Sequence, residues 1–261
     1  MNATFSTCPK CSHQRTPEQT VDPGTCPACG LVFAKWIARD SFVSPNSRQV
    51  SAEELENEPG LLARLVALPW HVPERVDPFY FWGRVAVLAL MVLWGWKLAG
   101  YDYRDGAIAN SFMHNILLPI HEAGHIIFMP FGEFMTTLGG SLFQILLPLI
   151  VGGTLLVQNR DPVGGALGLW WAGISIIDLA PYIYDAAAPE LMLITGTTGA
   201  DGPHDWIYLL QTVNRITYAH AWGRNAHTLG IIIAILAVAW AAVMLWRQKQ
   251  RLAEGPVLPI E

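Results

Sequence analysis

Five apolar stretches run through the chain from residue 79 onward: Phe79 to Gly100, Phe112 to Met135, Ser141 to Val157, Gly164 to Tyr184 and Thr228 to Trp246. Each approaches the ~20 residues that a helix needs to cross ~30 Å of hydrocarbon. The expected fold is therefore an all-α polytopic membrane protein with about five to six transmembrane helices, preceded by a small N-terminal zinc ribbon. Composition agrees. Only 14% of the 261 residues are charged and 52% are hydrophobic, against roughly 25% charged in a soluble globular domain. Arg84 and Lys97 lie near the ends of the first stretch, where long side chains can snorkel. Segment 205–222, "DWIYLLQTVNRITYAHAW", is too polar to face lipid and reads as an interfacial or partly re-entrant helix. The net charge of −5 gives no basic footprint, so nucleic acid is not expected as a partner.

Orientation is only partly written in the charges. Arg64, Arg75 and Arg84 precede or open the first stretch and argue for a cytoplasmic N-terminus. Five crossings would then put "RQKQR", Arg247 to Arg251, on the opposite side, against the positive-inside bias. Either segment 205–222 crosses or one of the five stretches does not. "MNATFSTCPK" has no basic n-region followed by an apolar h-region, so no cleaved secretory signal is expected.

All four cysteines fall in the first 29 residues: Cys8, Cys11, Cys26 and Cys29. Two C-x-x-C pairs, the second followed by Gly30, are the pattern of a zinc ribbon, in which each turn points two thiolates at one ion. A module so short buries too little core to fold alone, so a structural Zn2+ would supply its stability. A redox-active or rubredoxin-like iron site is the other reading of the same spacing. His13 lies between the two pairs and reads as a surface residue, since four thiolates fill the shell. The expected organisation is a ribbon over 1–38, then a polar linker over 39–78. A membrane domain over 79–246 and a tail over 247–261 follow. Within the linker "LLARLVAL", Leu61 to Leu68, reads as an amphipathic turn at a membrane surface or as a helix packed on the ribbon.

The stretch "NILLPIHEAGHIIFMPFG", Asn115 to Gly132, puts two histidines and a glutamate inside an apolar run. Ionisable groups there carry a large cost unless they bind something. Four residues apart on a helix, His121 and His125 share one face and can grip one metal ion. With one further ligand they would leave a position for water, whose proton Glu122 is placed to take as general base. Gly124 removes a side chain beside the site and allows a substrate or a packed helix to come close. His114 lies on the same face, but seven residues is ~10.5 Å along a helix, too far to share the ion. It reads as an outer group, a substrate or water-path residue, or an interfacial histidine.

The third ligand is open on the residues alone. Asp178 and Asp185 flank Pro181 in "WWAGISIIDLAPYIYDAAAPE", and a proline-broken apolar segment would let backbone bend toward a buried site. His204 and Asp205 in "DGPHDW" are the remaining candidates, from a loop that would have to fold back.

At these residues the chain resembles the site-2 protease family of intramembrane zinc metalloproteases. "HEAGH" sits in a hydrophobic span, and "GGSLFQILLPL", Gly139 to Leu149, looks like the opening of that family's next core helix. "DLAPYIYDA", Asp178 to Ala186, resembles its later N-x-x-P…L-D-G motif. The resemblance implies His121 and His125 as ligands, Glu122 as general base and Asp185 as third ligand. Asp178 would stand where the family has an Asn that positions substrate or water. The motif departs from the pattern: Tyr184-Asp185-Ala186 replaces L-D-G, and the spacing from Pro181 is one residue shorter. One residue turns a helical side chain by ~100°, so Asp178 is the alternative ligand and His204 a weaker one. The resemblance covers roughly Ser111 to Ala188 and leaves the ribbon and the 190–225 segment aside.

The expected function is a membrane-embedded zinc metalloprotease with one catalytic and one structural Zn2+. It would cleave membrane-spanning or membrane-proximal segments of a protein substrate whose helix unwinds to expose a peptide carbonyl. The ribbon would serve a regulatory role or bind a protein partner. The competing expectation is a non-catalytic membrane zinc protein that acts as a scaffold through its ribbon. A metal or proton transporter is a third, which would need ionisable groups spread across several spans, whereas here they concentrate near two.

Overall fold

The computed structural model describes residues 6–16, 22–33, 60–193 and 196–254. The chain divides into two compact units, Met1–Gly60 and Leu61–Glu261. Residues 34–59, most of the expected linker, lie outside the described residues.

The first unit is built on two matching turns. Cys8 N donates to His13 O and Ser12 N to Cys8 O, and Cys26 N donates to Leu31 O and Gly30 N to Cys26 O. The residue after each C-x-x-C adopts a left-handed backbone, Ser12 at φ 57° and Gly30 at φ 69°. Thr7 bridges Gln14 and Thr25 bridges Val32, which closes each turn into a minimal hairpin. The four thiols meet. Cys8 Sγ lies 3.7 Å from Cys29 Sγ, and Cys11 Sγ lies 3.7 Å from Cys26 Sγ. That is too long for a disulfide and matches the ~3.8 Å edge of a tetrahedron of sulfurs ~2.3 Å from a central ion. Burial pushes the Cys8 thiol up, but the backbone N–H groups of Cys11 and Lys10 outweigh it and hold it at about 6. Among the described residues Cys8, Cys26, Phe33 and the partly buried Leu31 form a core here. The cysteine group could hold a metal ion.

The second unit is a helical bundle. Helix α1 (Leu61–Ala67) is followed by α2 (Pro78–Ala99), α3 (Phe112–Phe128), α4 (Glu133–Gln158), α5 (Pro162–Asp185), α6 (Asp205–Thr212) and α7 (Ala219–Glu254). Asp77 caps α2 by accepting from Phe79 N and Tyr80 N, ahead of Pro78 in the first turn. Asp161 caps α5 in the same way and Ser111 caps α3. Helix α5 is the axis of the bundle. In its most apolar window 78% of residues are buried, against 17–28% in α2, α4 and α7, whose outer faces are left for lipid. Small residues let the backbones meet: a Cβ on Gly152 would lie 2.9 Å from Gly168 Cα, and one on Gly173 2.9 Å from Gly230 O.

Four helices, α2, α4, α5 and the segment containing α7, are long and apolar enough to cross a bilayer. The expectation of five to six transmembrane helices is corrected to four among the described residues. The run Phe112 to Met135 is not one span. A 3-10 turn at Met129–Phe131, carrying Pro130, and Gly132 at φ 91° divide it into α3, of 17 residues, and the start of α4. Hydropathy does not register that break. Conversely, Pro181 lies inside a continuous α5 and does not interrupt it.

The directions of the helices follow from contacts at their ends. Arg84, early in α2, pairs with Asp161 at the start of α5 (3.2 Å) and donates to Gln248 near the end of α7 (3.2 Å). At the opposite end Tyr103 packs on Tyr184 and His227, and Tyr184 stacks on His220. The start of α2 and the end of α7 thus share one end of the bundle, which removes the conflict between the arginines before α2 and "RQKQR". Helix α1 and the turn after it belong to this end too, since Trp240 Nε1 donates to Pro69 O (2.9 Å) and Arg247 lies over the Trp70 ring. Leu62, Leu65, Val66 and Trp70 are exposed there, as in a helix at a membrane surface. Helix α3 packs antiparallel to α4 and so runs in the direction of α2. Segment 100–111 therefore turns back into the bundle, where Phe112 stacks on Trp94.

Candidate metal centre and cavity

Helix α3 presents His121, Glu122 and His125, whose donor atoms lie within 4.8 Å of one another. Both rings are fixed from behind. His125 Nδ1 donates to Thr136 O (2.8 Å), and His121 Nδ1 lies 3.1 Å from Gln144 Oε1. Gln144 Nε2 donates to Asp178 Oδ2 (2.9 Å), which sets the amide so that its oxygen faces His121. Each ring therefore carries its proton on Nδ1 and turns the Nε2 lone pair toward one spot, the arrangement of metal-ligating histidines.

Asp205 fills out that spot. Its Oδ2 lies 3.0 Å from His121 Nε2 and 3.3 Å from His125 Nε2. Ligands at ~2.0–2.1 Å from a tetrahedral ion stand ~3.3 Å apart, so two nitrogens and one carboxylate oxygen are spaced as donors to one ion. Gly140 keeps the spot open, because a Cβ there would lie 2.6 Å from both Nε2 atoms. Between the two histidines on α3, Gly124 meets the backbone carbonyl of Gly139, and no side chain fits between the two helices. Gly124 thus serves the close approach of α4.

Asp205 opens helix α6, which local contacts hold in place. Its backbone N–H donates to Tyr182 Oη (3.0 Å), and Trp206 Nε1 donates to Ser141 Oγ on α4 (3.1 Å). His204 caps the helix by accepting from Ile207 N, and its ring packs on Tyr182 with centroids 4.2 Å apart. Burial pushes the His204 imidazole down, against the pull of Asp185. A neutral ring that accepts at Nδ1 carries its proton on Nε2, 3.3 Å from Asp185 Oδ2.

The other acidic candidates are engaged elsewhere. Asp185 accepts from the backbone N–H of Glu190 (2.8 Å) and of Leu191 (3.0 Å) and faces His204, holding the start of the 186–204 segment. Asp178 accepts from Gln144 and pairs with His114 Nδ1 at 3.0 Å. His204 adjoins the site without turning to it. Of the residues weighed from sequence, the structure thus brings together His121, Glu122, His125 and Asp205. It sets Asp178 behind His121 through Gln144, with His114 one contact beyond, and pairs Asp185 with His204 away from the rings. Gln144, Thr136, Gly140 and Tyr182 were not singled out, although Gln144 stands as the lone polar side chain in "LFQILLPL".

A cavity of about 630 Å³ opens onto this group. His114, His121, Glu122, His125 and Asp205 line it together with apolar residues such as Leu118 and Leu179. It is large enough for several residues of an extended chain, and it places Glu122 on the same wall as the two rings.

No family model matches the chain, and neither a curated protein nor a solved structure matches it.

Proposed function

We propose that this is a membrane-embedded zinc metalloprotease that hydrolyses peptide bonds in membrane-spanning or membrane-proximal protein segments, as the resemblance to site-2 proteases implies. The observation that carries the reading is the convergence of His121 Nε2, His125 Nε2 and Asp205 Oδ2, with Glu122 beside them on one cavity. His121, His125 and Asp205 would hold the ion, and Asp205 takes the place that the resemblance gives to Asp185. A zinc ion in that position supplies Lewis acidity toward a peptide carbonyl and toward water. Glu122 takes a proton from the water as its oxygen attacks the carbonyl carbon. It then returns that proton to the amine nitrogen as the carbon–nitrogen bond breaks. The cavity walls hold the substrate backbone extended, which a helical segment reaches only after local unwinding. The ribbon would lie on the cytoplasmic side, hold a structural zinc and bind a protein partner.

The test is Glu122→Gln, assayed on a membrane-spanning reporter that the wild type cleaves. The variant should keep its zinc and lose cleavage; turnover at the wild-type rate would contradict the role of Glu122.

A further inference from the structure

We infer that Asp178, acting through Gln144, is a positioning residue that holds the His121 ring in its metal-binding tautomer. The inference rests on the metal-holding half of the function proposed above and not on proteolysis. Metal-ligating histidines commonly donate their second N–H to a carboxylate, which orients the ring and raises its basicity. Here the carboxylate stands one group further away. His121 Nδ1 meets Gln144 Oε1 at 3.1 Å, and Gln144 Nε2 meets Asp178 Oδ2 at 2.9 Å, both buried. Gln144 is 2% exposed and Asp178 6%, in a bundle whose other interhelical contacts are made largely by small and apolar residues.

Three features argue for a function in this chain. A buried carboxylate between apolar helices is costly, and it persists only where its partners need it. The amide has no freedom to flip, since Asp178 accepts only from its nitrogen end, so the oxygen is committed to His121. The far side of Asp178 is closed by His114 Nδ1, at 3.0 and 3.2 Å from the two carboxylate oxygens. His114 thereby connects the chain to the cavity it lines. The side chains run His114, Asp178, Gln144, His121, drawn from α3, α5, α4 and α3 again. Three helices, α3, α4 and α5, thus contribute to the orientation of one ring.

The experiment is a zinc competition titration against a chromophoric chelator, on the full chain in detergent. The thiolate zinc of the ribbon serves as an internal count. Asp178→Asn keeps the shape and removes the charge, and Gln144→Leu removes the bridge. Each should weaken the bundle-site zinc roughly 10- to 100-fold while the ribbon zinc and the helical circular dichroism stay at wild-type levels. The double variant Gln144→Glu with Asp178→Asn exchanges carboxylate and amide along the same line, giving His121 a direct carboxylate. It should return the affinity to within a few-fold of wild type. A purely structural role would not be rescued by that exchange. Wild-type affinity in Asp178→Asn, or a double variant no tighter than the single ones, overturns the inference. A wild-type chain that holds only the ribbon zinc would instead sink the metal reading itself, so the two failures are distinct.

Discussion

Asp205 Oδ2 stands 3.0 Å from His121 Nε2 across 84 residues of sequence. The two residues come from helices that share no turn or hairpin, so the bundle itself must bring them together. Helix α6 is held by Tyr182, Trp206 and the Asp185–His204 pair, and each of those contacts exists only once α4 and α5 are packed. The centre therefore depends on tertiary packing, on a scaffold held by glycine contacts among α4, α5 and α7.

Filling the spot between the rings should abolish the site without unfolding the bundle. Gly140→Ala sets a methyl group 2.6 Å from both Nε2 atoms, whereas Gly153, also on α4, has nothing within 4 Å of its missing Cβ. The first substitution should displace a ring and remove zinc from the bundle site. The second should leave zinc content unchanged and alter stability by no more than about 0.5 kcal/mol. Zinc per chain by elemental analysis and thermal unfolding of both variants check this.

Metal removal should separate the two units. Among its described residues the ribbon has a core of a few side chains around its thiols, and so small a core should need an ion to hold its fold. The bundle buries a continuous apolar core from Met91 to Ala241. A strong chelator should expose the ribbon to protease while the helical circular dichroism is retained. Collapse of the helical signal on chelation would contradict the division.

Topology offers a third check. Because the start of α2 and the end of α7 share one end, reporters fused before residue 61 and after residue 254 should give the same compartment readout. A reporter inserted near Asp102 should give the opposite one. Different signals from the two terminal fusions would require a further crossing.

Much of this was legible in the residues, and the rest was not for identifiable reasons. The His121–His125 pair is a matter of helical spacing, so the sequence exposes it directly. The thiol cluster is likewise written in two C-x-x-C turns. The third acid was not, because Asp178 and Asp185 stand in an apolar stretch and Asp205 at the end of a polar loop, and nothing local says which one reaches the rings. The choice depends on the path of the 186–204 segment, a tertiary property. The resemblance pointed to Asp185, one helical register from the pattern it was matched to, and in the structure that residue anchors the loop that delivers Asp205. The number of spans was misjudged for a local reason: hydropathy carries the second stretch past Pro130 and Gly132 into the start of α4, so that α3, of 17 residues, reads as a full span. For helix α1 the pattern alone left two readings open, and the structure adds that Leu62, Leu65, Val66 and Trp70 are exposed.

Zinc stoichiometry of the full chain beside Asp205→Ala, Asp178→Ala and Asp185→Ala tests the central claim most directly. Two zinc ions should bind the wild type, one to the thiols and one to the bundle. Asp205→Ala should hold only the thiol-bound ion, while the other two keep a second, more weakly held one. Retention of both ions at wild-type affinity by Asp205→Ala would contradict the account.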